Sequence, residues 1–405
     1  MGIFDAAIIG AGAAGIAAAR RLVAAGRRVI VLEARQRVGG RAVVDHSLGS
    51  PADLGAAWLH FAEENTWTKL AEEGGFTILR GDPGWGPGAR IGDRVPTEAE
   101  RAKLAADYAR YDRLIADAAE TGRDVPLADI LPQDDFRARF DAMVTWAVGT
   151  ESTAISTLDL YRFADSTSNW AVREGMGAVV ARAAQGLPVQ LGTVATTIDW
   201  GGDVARIDSP SGRVEAASVI VTLPTSLLAR KAIRFDPPLP PAYEEAFNNL
   251  PLGVCNKVFF RVERGRFADG RSYHFLASTT NTRTCSWLAN PAGQPLLTAY
   301  FGGDLSIELE RQDALTEFAR DELRRLFGAG MLNELGAGIA TGWGTDPHSL
   351  GSYSAAKPGH AYCRTQLSVP VSPRLQFAGE ANSINYYGTL YGAWLAGVAA
   401  AERLL

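Results

Sequence analysis

Cysteine is scarce in this 405-residue chain: Cys255, Cys285 and Cys363 are the whole supply, an odd number with no C-x-x-C pair. A disulfide framework is excluded on those grounds, and a reducing, cytoplasmic setting is expected. Histidine is also sparse, five residues scattered without ligand spacing, so no metal centre is expected. Lysine numbers only five against 35 arginines, and the net charge of −5 contains no basic block. The electrostatic footprint of a nucleic-acid binder is therefore missing. The G-x-S-x-G turn of a hydrolase nucleophile is missing too. No basic-then-apolar leader opens the sequence, and Ala6 stands where a myristoylated start needs Ser or Thr. One stretch, residues 381–401, runs 21 residues without charge, long enough to cross a bilayer. It carries Asn382, Ser383, Asn385, Thr389 and three glycines. That composition reads as a buried, polar-lined site, and no membrane partner is expected.

What remains is ordinary globular material, 47% apolar and 21% charged, which excludes a disordered or fibrous chain. At roughly 150 residues per domain the length suggests two or three domains. Asp5–Ile9 reads as a strand, Ile16–Ala25 as a helix ended by Gly26, and Arg28–Leu32 as a second strand. Glu98–Thr121 reads as a charged helix with an apolar stripe of Leu104, Tyr108, Tyr111, Leu114, Ile115 and Ala118. Val189–Val221 breaks into short strands, with Pro210-Ser-Gly212 as a hairpin turn. Val254–Val262 reads as a strand and Gln312–Phe327 as a helix stopped by Gly328 and Gly330. There is no repeat and no low-complexity linker, so the domains are expected to interleave.

The strongest local signal is Gly10-x-Gly12-x-x-Gly15, placed between a strand and a helix, with Glu33 at the end of the next strand. The first glycine permits a tight turn, the second lets backbone approach a pyrophosphate, and the third lets helix and strand pack closely. The loop, with Ala13 and Ala14, leads into the helix, whose free N–H groups and dipole suit phosphate. Glu33 can accept hydrogen bonds from ribose hydroxyls. This is an α/β, Rossmann-like dinucleotide site. The motif alone leaves NAD and FAD open. Ala34, Arg35, Gly39, Gly40 and Arg41 follow, placing cations and glycines just past the ribose acid.

From this point the chain resembles the flavin-dependent amine oxidase family, which includes monoamine and polyamine oxidases. The resemblance rests on Gly39-Gly40-Arg41, Asp53-Leu-Gly-Ala-Ala-Trp-Leu-His60, Val219-Ile-Val-Thr-Leu-Pro224 and Phe235-Asp-Pro-Pro-Leu-Pro240. It continues through Pro251-Leu-Gly-x-x-x-Lys257, Trp343-Gly-Thr-Asp-Pro347, Gly351-Ser-Tyr353, Phe377-Ala-Gly-Glu380 and Tyr386-Tyr-Gly-Thr-Leu390. It implies a Rossmann-like FAD-binding domain interleaved with an α+β substrate domain. The expected boundaries are 1–66, 172–232 and 344–405 for FAD, and 67–171 and 233–343 for substrate. Beside the cofactor it places Gly55, Ala56, Ala57, Trp58, Ala195, Gly379, Glu380, Gly388, Thr389 and Leu390, as well as the nucleotide loop.

Lys257 lies in an apolar strand. It reads either as a lysine snorkelling from a strand edge or as a buried amine with a task. The resemblance implies the second: a lysine that holds a water against flavin N5 and places positive charge there. Trp343 and Tyr353 read as core aromatics; the resemblance puts them beside the isoalloxazine, Tyr353 as one side of a cage that suits an amine. Thr389 stands where monoamine oxidases have the opposing tyrosine, which points towards polyamine-type relatives. His60 matches an active-site histidine of polyamine oxidases and is followed by Phe61, where those relatives commonly have glycine. Ser352 stands where some monoamine oxidases carry a flavin-linked cysteine, so non-covalent FAD is implied.

The implied reaction is hydride transfer from an amine's α-carbon to flavin N5, giving an imine, then a carbonyl product, with O2 as acceptor and hydrogen peroxide released. An L-amino-acid oxidase, with Arg173 or Arg364 clamping a carboxylate, is the alternative. A flavoprotein desaturase fits less well, given Lys257 and Tyr353. Polyamine, monoamine and amino acid remain open as substrates, and monomer and homodimer as assemblies.

Overall fold

The computed structural model describes residues 2–81, 85, 89–164, 166 and 168–405. Among them, eight strands form one sheet. At its centre Phe4–Ile9 runs parallel to Val29–Leu32 on one side and to Gly212–Val221 on the other. Leu375–Phe377 adds a further parallel strand beside Val219–Val221. The opening strand is apolar on both faces because both are covered. Ala6 and Ile8 pack against the helices Ala13–Ala24, Met176–Ala183 and Leu390–Glu402, whereas Ala7 and Ile9 pack with Val219, Phe247 and Leu367. The helix Ala13–Ala24 crosses Leu390–Glu402 so closely that a Cβ on Gly397 would stand 2.1 Å from the Ala14 carbonyl oxygen. The expected hairpin forms, with Ser209 opposite Gly212.

A second, mainly antiparallel sheet runs in the order Leu335–Ala340, Cys255–Val262, Leu296–Gly302, Ser286–Ala289, Tyr273–Leu276 and Arg90–Ile91. Strand alternation gives it two unlike faces. Val258, Phe260, Ala299, Phe301, Trp287 and Phe275 form an apolar core with Leu305, Leu309, Leu315 and Leu323. The register puts Lys257 opposite Tyr300, and Tyr300 opposite Ser286, on the other face; Phe259, Thr298, Leu288 and His274 share it. From that polar-bearing face Lys257 reaches the backbone at Asp53 and Gly55, at the end of the short strand pair Val44–Asp45 and Ala52–Asp53. The helix Glu98–Glu120, started by a Thr97/Glu100 capping box, packs Leu104, Tyr111 and Ile115 against Phe136, Phe140 and Val144.

Two segments differ from expectation. Asp313 takes φ 53°, so the helix expected from Gln312 begins only at Leu315, and Gly303–Arg311 before it is a separate helix that the sequence reading did not place. Residues 233–250, expected with the substrate half, join the first sheet instead: Arg234–Asp236 pairs with Thr197–Asp199, and Tyr243, Phe247 and Leu250 enter its core. Among the described residues no helix is long and apolar enough to cross a membrane.

Candidate active site

The glycine loop forms as its spacing demands. Gly10 has φ 104°, and a Cβ there would lie 2.6 Å from Thr222 Oγ1. On Gly15 it would lie 1.9 Å from the Gly10 carbonyl oxygen. Gly12 caps the helix Ala13–Ala24 without a side-chain bond, and no acidic residue stands in the first turn. A Cβ on Gly12 would lie 3.9 Å from Gly40 Cα and one on Gly40 only 3.3 Å from Gly12 Cα, so the two glycines let the loops approach closely. Buried Glu33 accepts from the Ala11 and Arg35 N–H groups at 2.7 and 2.8 Å, leaving lone pairs for hydroxyls. An uncapped helix start, a cradle that side chains would fill and a buried acceptor fit the adenosine and pyrophosphate of a dinucleotide. Ala34 precedes Arg35, whose guanidinium donates to Asp346 at 2.6 and 3.0 Å and to Ser349. Gly39 donates to the Ala11 carbonyl, closing the loop. Ala195 lies in the core beside Ile9 and Leu32.

Farther along, Glu380 is a buried hub. Its carboxylate accepts from Arg41 (3.1 Å), the Ser354 hydroxyl (2.6 Å), and the Ser354 and Gly388 N–H groups (3.2 and 2.9 Å). Burial alone would raise its pKa, but the Arg41 and Arg364 cations and these hydrogen bonds hold it below the usual range. Arg41 also donates to the Ser352 carbonyl at 2.5 Å. Gly379 is extended at the turn into this segment, and Gly388 takes φ 69°. A cavity of about 320 Å³ empty space, lined by Arg41, Thr222, Leu223, Gly379 and Glu380, lies here at the carboxyl ends of the parallel strands, where open α/β sheets bind ligands.

The lysine end is tied to the first domain by backbone. The Lys257 ammonium donates to the Asp53 and Gly55 carbonyls at 2.9 and 2.6 Å, and the Trp343 indole donates to the Leu54 carbonyl between them at 3.0 Å. Three consecutive carbonyls are thus held by two side chains more than 200 residues away, which fixes Gly55, Ala56, Ala57 and Trp58 in place. Gly55 admits no side chain, for its Cβ would be 1.7 Å from the Arg41 carbonyl oxygen. Burial pulls the Lys257 pKa down to about 8 and pushes that of Asp53 up to about 6. Asp53 caps the helix Met176–Ala183 by accepting from the Met176 and Gly177 N–H groups.

Tyr353 is placed by the short pairing of Gly253 with Tyr353, against Gly388. Burial raises its pKa, as do the neighbouring Cys255 and Tyr300. Tyr300 presents its ring 5.3 Å from Lys257 Nζ. Thr389 serves as a helix cap: its hydroxyl donates to the Tyr386 carbonyl at 2.6 Å and accepts from the Gly392 N–H at 2.9 Å, starting the helix at Leu390. His60 is half-buried, desolvation lowers its pKa, and its Nδ1 lies 2.5 Å from Asn169 Oδ1. Phe61 takes φ 55°, the left-handed conformation a glycine adopts without strain, and sets its ring edge-on to Tyr386 at 4.9 Å. Ser352 donates to the Cys255 carbonyl and accepts from its N–H, both at 2.9 Å. Arg364, one candidate for a carboxylate clamp, is consumed by a buried two-point pair with Asp159.

The sequence did not single out Tyr300, Thr298, Ser354 or Cys255 as members of this neighbourhood. The first two had a signal: Thr298 and Tyr300 alternate with Leu297, Ala299 and Phe301, the period of a strand with one polar-bearing face.

The chain is similar to known proteins over nearly its whole length. The family described as flavin containing amine oxidoreductase matches residues 13–77 and 115–405. Polyamine oxidase 3 of Oryza sativa subsp. japonica is 29% identical over 98% of this chain and 88% of its own length. Polyamine oxidase 2 of Arabidopsis thaliana is 29% identical over 98% and 86%. The fold matches putrescine oxidase bound to putrescine with a TM-score of 0.79 at 22% identity, covering 98% of both chains. The chain belongs to the flavin-containing amine oxidoreductases, enzymes that oxidise amines with a flavin.

Proposed function

We propose that this enzyme binds FAD non-covalently and oxidises a polyamine or simpler amine with O2, releasing hydrogen peroxide. The observation that carries the reading is the junction at residues 53–55, where Lys257 of the second sheet and Trp343 hold three consecutive backbone carbonyls beside Tyr300 and Tyr353. Relatives named polyamine oxidase and a structural neighbour bound to putrescine support the substrate class.

In this reading Gly10, Gly12, Ala13, Ala14, Gly15, Glu33, Gly39 and Gly40 hold the adenosine pyrophosphate. Arg41, Glu380, Gly388 and the first turn at Leu390 hold the middle and the ring edge. Bound flavin supplies the two-electron acceptor for the amine's α C–H bond. Tyr353 and Tyr300 present aromatic faces that orient an amine and exclude water from it. His60, kept neutral by burial, offers a hydrogen bond to substrate nitrogen without repelling a cation. Lys257 holds positive charge at the junction, where charge develops during oxygen reduction. Trp343 sets the Gly55–Trp58 backbone, and Thr389 fixes the helix start. Residues 1–66, 172–250 and 344–405 form the cofactor half; 67–171 and 251–343 the substrate half.

Only a neutral amine has a lone pair to release, so the rate rises with pH through the bound amine's pKa. A peroxide-coupled screen of polyamines, diamines, monoamines and L-amino acids tests the proposal. Peroxide with the first groups supports it. A flavin-loaded protein that makes peroxide from none of them, or from amino acids alone, refutes it.

A further inference from the structure

Asn256 and Lys257 are neighbours on the strand Cys255–Val262 and leave it on opposite faces. Lys257 reaches the Asp53 and Gly55 carbonyls. Asn256 is wholly buried and points the other way. Its amide oxygen accepts from the Trp343 N–H at 2.9 Å and from the Thr341 hydroxyl at 3.0 Å. A peptide N–H can only donate, so the oxygen of the amide faces Trp343 and its NH2 group faces the helix Gly303–Arg311. There the NH2 group donates to Glu310 at 2.7 Å and to Ser306, one helical turn earlier, at 3.1 Å. The Trp343 indole donates to the Leu54 carbonyl, between the two carbonyls that hold Lys257. The bonds therefore close a circuit. It runs from Lys257 to Gly55, through one peptide to Leu54, on to Trp343 and Asn256, and through one peptide back to Lys257.

Glu310 grips this circuit from the helix. It stands in the last turn, where the helix dipole disfavours an anion. What it gains there is donors, two for each oxygen. Oε2 accepts from Asn256 and from the Gly344 N–H at 2.7 and 3.1 Å; Oε1 accepts from the Thr345 N–H and hydroxyl, both at 2.7 Å. Gly344 lets the loop come this close, for a Cβ there would stand 2.7 Å from Oε2. We propose that Glu310 is a positioning residue for amine oxidation. By holding Asn256, Gly344 and Thr345 it sets the Trp343 indole on Leu54, and so fixes the carbonyl frame to which Lys257 is bound. The inference rests on the reading that this junction serves the flavin.

Glu310→Gln keeps the size of the side chain and removes its charge. Whichever way the new amide turns, an NH2 group replaces an oxygen that two donors share. In flavin-free protein, hydrogen exchange of the Trp343 indole N–H, followed by NMR and assigned with Trp343→Phe, is expected to quicken by about tenfold, the worth of one hydrogen bond to a charged group. The indole of Trp67, wholly buried on the Leu390 carbonyl at 2.9 Å, reports general loosening and should keep its rate. In flavin-loaded enzyme kcat should fall by about 10- to 100-fold, the scale of a slightly misplaced group. In a Trp343→Phe background, already without the bond to Leu54, the same substitution should change kcat by less than about twofold. Thr345→Val removes one donor to Glu310 and should move both readouts the same way by a smaller factor, which keeps the test open if Glu310→Gln does not fold. An indole rate that is unchanged, or that quickens in step with Trp67, overturns the proposal. So does a loss of kcat that Trp343→Phe does not diminish. If Glu310→Gln leaves kcat unchanged while Lys257→Met lowers it, the proposal fails alone. If Lys257→Met leaves it unchanged as well, the reading of the junction has failed, and the proposal with it.

Discussion

Asp159→Ala should unfold this enzyme several degrees early, and the structure gives the size of the effect. Asp159 and Arg364 are each 1% exposed and meet through two hydrogen bonds of 2.6 and 2.8 Å. The variant leaves a guanidinium in the core with Ser354 and the Ala381 carbonyl as acceptors, and no carboxylate in direct contact. It also strips the Ala356 N–H of its acceptor. Breaking a buried pair from one side costs about 3–5 kcal/mol, because a charge remains without its counter-ion. Unfolding entropy near about 2.1 cal/mol/K per residue scales to roughly 0.85 kcal/mol/K for this length. The melting temperature then falls by about 4–6 °C. Scanning calorimetry on flavin-free protein measures it. Replacing both partners, Asp159→Leu with Arg364→Met, should return most of the loss, since an apolar pair of similar volume needs no counter-charge. A single variant within about 1 °C of the parent, or a double variant no better than the single, would refute the reasoning. The pair also reaches the cofactor groove. Arg364 donates to the Ser354 hydroxyl, which donates to Glu380. Flavin affinity in Asp159→Ala is therefore expected to drop by about tenfold, the worth of one charge-assisted hydrogen bond.

Lys257→Met should retain flavin and slow turnover by about a hundredfold, the scale of one lost electrostatic stabiliser; stopped-flow absorbance shows which half-reaction is affected. The same variant tests the lysine's charge state. Its folded pKa near 8 lies below an unfolded value of about 10.4. Between those values the unfolded chain holds more protons, so this group makes the flavin-free parent more stable as pH rises from about 8 to 10.4. The variant should lose that rise in urea titrations, and an unchanged pH slope would contradict a buried lysine. Ser352 has no sulfur for a thioether, and its hydroxyl is tied to Cys255 at both ends. Acid precipitation should release the yellow colour into the supernatant; colour kept in the pellet would contradict a dissociable cofactor.

The parts that could be read from sequence are those whose physics is local. The glycine loop closes within six residues: Gly10 takes φ 104°, and its own carbonyl leaves no room for a Cβ on Gly15. Thr389 starts a helix because its hydroxyl needs only Tyr386 and Gly392. The Pro210-Ser-Gly212 turn works the same way. Lys257 is different. Its burial could be suspected from an apolar strand, but its acceptors are backbone carbonyls, and a carbonyl leaves no trace in residue identity. The same holds for Trp343 on Leu54. No spacing rule joins Asp159 to Arg364 across 205 positions; Asp159 alone reads as an ordinary surface charge, and Arg364 as no more than a candidate carboxylate clamp.

That contrast explains why the cofactor half is easier to read than the chemistry. Phosphates are bound by backbone at a helix start, so the sequence must announce the site with glycines. The lysine junction exists only once the second sheet has packed against the Asp53–Gly55 segment, and its strongest geometric constraint falls on a residue that cannot vary. Gly55 lies within contact of the Arg41 carbonyl on one side, and a side chain there would also stand 3.1 Å from the Trp343 ring on the other. A methyl there would push the 53–55 carbonyls off Lys257 and Trp343 together. The cofactor groove and the lysine are thus not two sites that happen to adjoin. Arg41 serves the groove through its side chain and the junction through its carbonyl, so the two halves are set in register by one residue's backbone.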